Sequence, residues 1–183
     1  MAVQTRVRFL ADDIWDCPDD GRRWEVIEGE LHVTAAPDLD HQRPCMTLSA
    51  YIWPYLKQHD LGSIFASPVG LILDGENGLQ PDMVYVARPR AAILTQRGIR
   101  GTPDMVVEVL SPGTQDKDRG VKMRRYATSG VAHYWIVAPA TRTLEAYVLE
   151  EGAYRQTGTY TVGETFRPDH FPGLEIPIAD LWV

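Results

Sequence analysis

Ile99 to Ser129 reads IRGTPDMVVEVLSPGTQDKDRGVKMRRYATS, a strand, a break and a helix in direct succession. Met105-Val106-Val107-Glu108-Val109-Leu110 is short, apolar and rich in β-branched residues, which favours a buried strand over a helix. Glu108 lies inside that run. A carboxylate in an apolar strand is costly unless a cation, a metal or a shifted pKa compensates it, so Glu108 is the first functional candidate. Ser111-Pro112-Gly113-Thr114 breaks the strand, and Asp116 to Ser129 then reads as a helix closed by Gly130. Asp118, Lys122 and Tyr126 fall four apart on one face of it.

The charge around this stretch differs in sign from the rest. From Arg88 to Arg125 there are nine basic residues against four acidic ones, whereas the whole chain carries a formal charge of −7. A surface that clings to nucleic acid everywhere is therefore excluded, but the Glu108 region alone is suited to a phosphate backbone. A solvated, salt-bridged helix face is the competing reading of the same charges. At 183 residues, with 44% hydrophobic and 23% charged content and no low-complexity tract, the chain is expected to fold as one domain, 1–183. The N-terminal MAVQTRVRFLADD has no apolar leader core, and no run approaches bilayer length, so a cytoplasmic protein without membrane contact is expected. Cys17 and Cys45 are isolated and read as reduced, partly buried thiols.

Upstream, Phe9 to Cys17 reads as a short amphipathic helix, and Trp24–Ile27 with Leu31–Thr34 as a hairpin across Glu28-Gly29-Glu30. Glu25 alternates with Trp24 and Val26, so it faces either solvent or a cleft. Asp38 or Asp40 caps a helix reaching His59, with Pro44 in its early turns and Pro54 as an expected kink. His41, near the start of that helix, is a candidate substrate contact if the first turn borders a cleft. Ser63 to Asp74 reads as one strand, and Met83 to Val86 as another, opened by Pro81-Asp82. Pro103-Asp104 repeats that opening, which makes Asp104 a rival to Asp82. Arg88 to Gly98 is expected to be a short helix. Downstream, His133–Val137 and Leu144–Leu149 read as strands, with Glu151-Gly152 and Thr157-Gly158 separating further short segments.

An acidic residue opening one strand, a second embedded in the next and a lysine on the following helix suit metal-assisted phosphodiester hydrolysis. Two carboxylates hold a hard divalent cation, and a lysine stabilises added negative charge or orients a water. The segments WEVIEGEL (Trp24 to Leu31), DHQR (Asp40 to Arg43), QPDMVYV (Gln80 to Val86) and Arg100 to Val137 resemble the PD-(D/E)XK nuclease superfamily, and within it the restriction-endonuclease-like Uma-two family. The resemblance covers most of the chain. It implies an α/β (α+β) restriction-endonuclease-like core, a mixed β-sheet flanked by helices with additional β-hairpins. It also implies Mg²⁺ (or Mn²⁺) held by Asp82 and Glu108, with Glu25 as an N-terminal acidic addition. The usual site lysine lies two residues after the strand's acidic residue, where this chain has Leu110. The resemblance is to the variant whose lysine has moved to the next helix, here Lys122, with Lys117 as competitor and Asp118 as its neighbour. Asp118, Arg119 and Arg125 on that helix are candidate substrate contacts.

The activity expected is that of a metal-dependent DNA endonuclease acting as a symmetric homodimer. Two other readings stay open at this point. One is a nucleic-acid-binding or protein-interaction module that has kept the fold without hydrolysis, and the other is a structural role.

Overall fold

The structure, a computed structural model, describes residues 7–183; the part of the leader reading that falls on residues 1–6 lies outside them. Alternation along two central strands sets the layers. In β6 (Met83–Ala87) and β8 (Met105–Val109), Met83, Tyr85, Met105 and Val107 face one core, while Val84, Val86 and Val106 face another. With both faces covered, the strands are apolar apart from Glu108, as buried sheets require.

These strands belong to a mixed six-stranded sheet in the order β11-β10-β9-β8-β6-β3, with β3 (Gly62–Ala66), β9 (His133–Ala138), β10 (Thr143–Glu150) and β11 (Ala153–Thr161). Only β8 and β9 run parallel in it, and the helix between them is the crossover that parallel pairing needs. One face packs on α1 (Leu39–His59) through Cys45, Leu48, Ile52 and Leu56. The other face packs on Tyr126 and Val131 and on a five-stranded sheet, order β2-β1-β5-β4-β7. That sheet comprises β1 (Arg23–Ile27), β2 (Glu30–Thr34), β4 (Leu71–Asp74), β5 (Asn77–Leu79) and β7 (Ile99–Arg100). A short hairpin, β12 (Thr165–Phe166) with β13 (Ile176–Pro177), completes the strands.

The mixed sheet, flanking helices and extra hairpins agree with the expectation from sequence. Four local expectations are corrected. Ser63 to Asp74 is two strands in different sheets, because Pro68 has no N–H to continue a ladder and the chain turns at Ser67-Pro68. Gly70 lies in that turn, where a Cβ would come within 2.1 Å of the Trp15 ring. Arg88 to Gly98 is helical only over Arg88–Ile93, as a 3₁₀ segment, and the Phe9 to Cys17 helix is a 3₁₀ turn over Ala11–Trp15. Thr157-Gly158 does not end a strand: β11 runs through it, and the pairing with β10 absorbs the irregularity as a register shift at Ala146/Tyr147.

The helix after β8 spans α2 (Gln115–Lys117), a π turn (Asp118–Lys122) and α3 (Met123–Thr128) in unbroken sequence. Gly130, at φ +84°, ends it, and the Val131 N–H donates back to the Tyr126 carbonyl at 3.0 Å. Both prolines of α1 lie inside the helix, with Asp38 as its cap accepting from the His41 N–H at 2.9 Å.

Candidate active site

Register brings the two principal carboxylates together. Met83 pairs with Val107 between antiparallel β6 and β8, so one further step sets Asp82 opposite Glu108 on the same face. That is the face covered by the helix carrying Lys122. Pro81 places Asp82 just ahead of the strand, where its Oδ2 accepts from the Val109 N–H at 2.7 Å. Asp104, the rival, is elsewhere: its Oδ2 accepts from the Ala87 N–H at 2.7 Å, and Arg90 lies 3.2 Å away.

Lys122 is the centre of the cluster. Its Nζ lies 2.7 Å from Glu108 Oε1, 3.0 Å from Glu25 Oε1 and 3.4 Å from Asp118 Oδ1, and all four side chains are at most 4% exposed. Glu25 therefore turns inward from β1, and its Oε1 also accepts from the Gln80 N–H at 3.0 Å. The π turn lies over the residues that bear the site, a placement that recurs at functional sites. Tyr126, one turn on, donates its hydroxyl to Glu108 Oε1 at 2.7 Å, and Tyr134 donates to the Asp118 carbonyl at 3.0 Å. Lys117, the competitor, is half-buried on α2 and outside this set of contacts.

Asp82 has its own partners. Arg23 Nη2 lies 2.5 Å from Oδ1, and His41 Nε2 lies 3.1 Å from Oδ2. Burial would raise the Asp82 pKa, but the His41 hydrogen bond and the Arg23 charge overcome it and hold it at about 2. An ionised carboxylate only accepts, so His41 donates through Nε2; its buried Nδ1 has no hydrogen-bond partner. Burial pushes Glu108 well above the usual carboxylate range and raises Asp118 too, with Lys122 opposing both shifts. For Lys122, burial would lower the pKa, but Glu108, Glu25 and Asp118 outweigh it and keep the ammonium charged.

The donor set accommodates a hard cation. Four buried carboxyl groups, Glu25, Asp82, Glu108 and Asp118, outnumber the two cations, Arg23 and Lys122, that lie among them. Among the described residues no three His, Cys, Asp or Glu side chains converge as a ready ligand cage. A cation that binds through one or two carboxylates, waters and substrate phosphate fits such a set, and Mg²⁺ is of that kind.

A cleft of about 610 Å³ adjoins the cluster, lined by His41, Leu110, Ser111, Arg119, Arg142 and Trp182 among others. His41 belongs to both cleft and cluster. Arg119 borders the cleft while paired with Glu145, at 2.7 and 2.6 Å. Arg125 is bound to Glu28, outside the cluster. Sequence reasoning missed Arg23, and it placed Tyr126 on the Lys122 face without giving its hydroxyl a role. Both had a signal: Arg23 is two residues from Glu25 on the same strand face, and Tyr126 is one turn beyond Lys122.

Comparison with known proteins agrees with the fold. None of the curated proteins matches the chain. Among solved structures, one titled as a "putative nuclease belonging to DUF820" from Anabaena variabilis is 18% identical. It covers 95% of this chain and 97% of its own, with a TM-score of 0.78, so the two share a fold. Residues 12–179 match the Uma2 family, described as "Putative restriction endonuclease", and the chain belongs to that family.

Proposed function

We propose that the protein is a metal-dependent endonuclease that hydrolyses phosphodiester bonds of DNA. The observation that carries the reading is Lys122 buried against Glu108, Glu25 and Asp118, on the sheet face where Asp82 stands opposite Glu108. Asp82 and Glu108 would hold the divalent cation, Mg²⁺ or Mn²⁺. Bound there, it would polarise the scissile phosphate and make water a better nucleophile. Lys122 neutralises the charge that develops on the phosphate and, through Glu25, orients the attacking water. The Nδ1 of His41, which has no hydrogen-bond partner, is the polar atom left to meet water or substrate arriving through the cleft. Arg119 and Arg142 on the cleft wall supply phosphate contacts that position a strand without reading its sequence.

The test is cleavage of plasmid and single-stranded DNA with Mg²⁺ or Mn²⁺, comparing wild type, Glu108→Ala and an EDTA control. Cutting that needs metal and is lost in the variant supports the reading; cutting that persists in Glu108→Ala overturns it. A second reading, a nucleic-acid-binding module without hydrolysis, is favoured by the saturation of Asp82 by Arg23, His41 and the Val109 N–H. It predicts salt-dependent DNA binding with no product.

A further inference from the structure

Three large apolar side chains stand exposed on one helix. Leu39, Met46 and Trp53 of α1 are 78%, 69% and 56% exposed, and they recur every seven residues. Exposed Arg43, Ala50 and Lys57 fall between them, so the outer face reads Leu39, Arg43, Met46, Ala50, Trp53, Lys57 at alternating steps of four and three. That is the seam spacing of a helix that packs on another helix. The inner face, Cys45, Leu48, Ile52 and Leu56, is already used against the six-stranded sheet. Packing within the chain thus accounts for one side of α1 and not for the other.

We propose that α1 pairs antiparallel with the α1 of a second copy of this chain, about a two-fold axis at the level of Leu48. The spacing is self-complementary in that register. Met46 meets the partner's Ala50, whose small side chain allows close approach. Arg43 meets the partner's Trp53, and Leu39 meets the aliphatic stem of the partner's Lys57. Within one chain the Lys57 ammonium already lies over the Trp53 ring, 5.5 Å from its centroid, so the partner's Arg43 would cover the opposite face of the indole.

Charge selects the orientation. The first turn of α1 is acidic through Asp40, and its last turn is basic through Lys57 and His59. Antiparallel pairing brings Asp40 beside the partner's Lys57 and sets the two helix dipoles in opposition, whereas parallel pairing would align like charges. Asp40 and Arg43 also border the 610 Å³ cleft, so a second copy would extend its wall. A single helix pair is small against the roughly 800 Å² per partner of a standard interface, so exchange in the micromolar range is expected. The inference does not depend on the nuclease reading.

Sedimentation equilibrium of the full chain tests it. The expected result is a mass of twice 20.6 kDa at high concentration, dissociating on dilution. Met46→Glu and Trp53→Glu, at exposed positions, should each weaken association at least tenfold with an unchanged circular dichroism spectrum. Asp40→Lys and Lys57→Asp should each weaken it, and the double exchange should restore it. Register is read by oxidising a mixture of Met46→Cys and Ala50→Cys proteins and mapping the linked peptides. Mixed disulfides should exceed self-linked ones, since 46 to 46 is offset along the helices. A monomer at every concentration, a dimer indifferent to Met46→Glu and Trp53→Glu, or predominant self-linking at 46 would each overturn the proposal.

Discussion

Lys122 Nζ and Glu108 Oε1 are 2.7 Å apart with both side chains at most 2% exposed, the closest approach of the ammonium to any of its three carboxylates. The pair joins a helix to a central strand in the interior, where neither charge is stable alone. Losing the lysine leaves three carboxylates facing one another; losing the glutamate still leaves Lys122 two partners. Lys122→Met is therefore expected to cost about 3–5 kcal/mol of unfolding free energy, and Glu108→Gln clearly less. Urea denaturation measures both. An equal cost for the two would show that Lys122 is not what compensates the cluster.

In the proposed site, Arg23 and a divalent cation would compete for the same carboxylate. Asp82 Oδ1 is taken by Arg23, so a cation must share or displace that contact. Arg23→Gln should tighten Mn²⁺ binding several-fold, read by calorimetric titration, while DNA binding is unchanged or weaker. Unchanged or weaker Mn²⁺ uptake in the variant would mean that Asp82 is not a ligand in competition with Arg23.

The two Pro-Asp strand openings are separable by experiment. Asp104→Asn weakens a hydrogen bond to the Ala87 N–H and an ion pair with Arg90, at an expected cost of about 1 kcal/mol with metal uptake intact. Asp82→Asn should abolish metal uptake. Metal binding that tracks Asp104 instead would reverse the assignment.

His170 supplies a pH dependence of its own. It stacks on His133 with ring centroids 3.7 Å apart, and burial followed by the His133 charge lowers its pKa from 6.5 to about 3. The unfolded chain thus takes up this proton before the folded one does. The contribution is complete above about pH 6.5 and is lost as pH falls toward 3, with a slope of up to about 1.4 kcal/mol per pH unit. Glu108 and Asp118, whose pKa values are raised, act in the opposite sense, since the folded state takes up their protons first. The difference between wild type and His170→Phe removes those common terms. Denaturation between pH 7 and 5 should show the variant losing less stability on acidification; parallel curves would place the His170 ring in contact with water.

Much of the scaffold was legible because it is written in short periods. The strand at Met105–Val109, the hairpin around Gly29 and the stop at Gly130 follow from alternation and turn chemistry within a few residues. The same periods put Asp118, Lys122 and Tyr126 on one helix face and singled out Glu108 as a charge needing a partner. Local alternation failed where it outweighed a proline break at Pro68. Ser63 to Asp74 alternates well enough for one strand, yet its halves join different sheets.

The sequence by itself determined the strand-then-helix unit that carries Glu108 and Lys122, because both elements are specified by neighbours in the chain. Only the tertiary structure decided which groups that pair meets. Glu25 faces the cluster because β1 packs in the second sheet, Asp82 rather than Asp104 faces Glu108 because of the β6–β8 register, and Arg23 and His41 converge on Asp82 from separate elements. Those contacts span segments far apart in sequence, where no period links one residue to another, and they form only when burial requires each charge to find its complement.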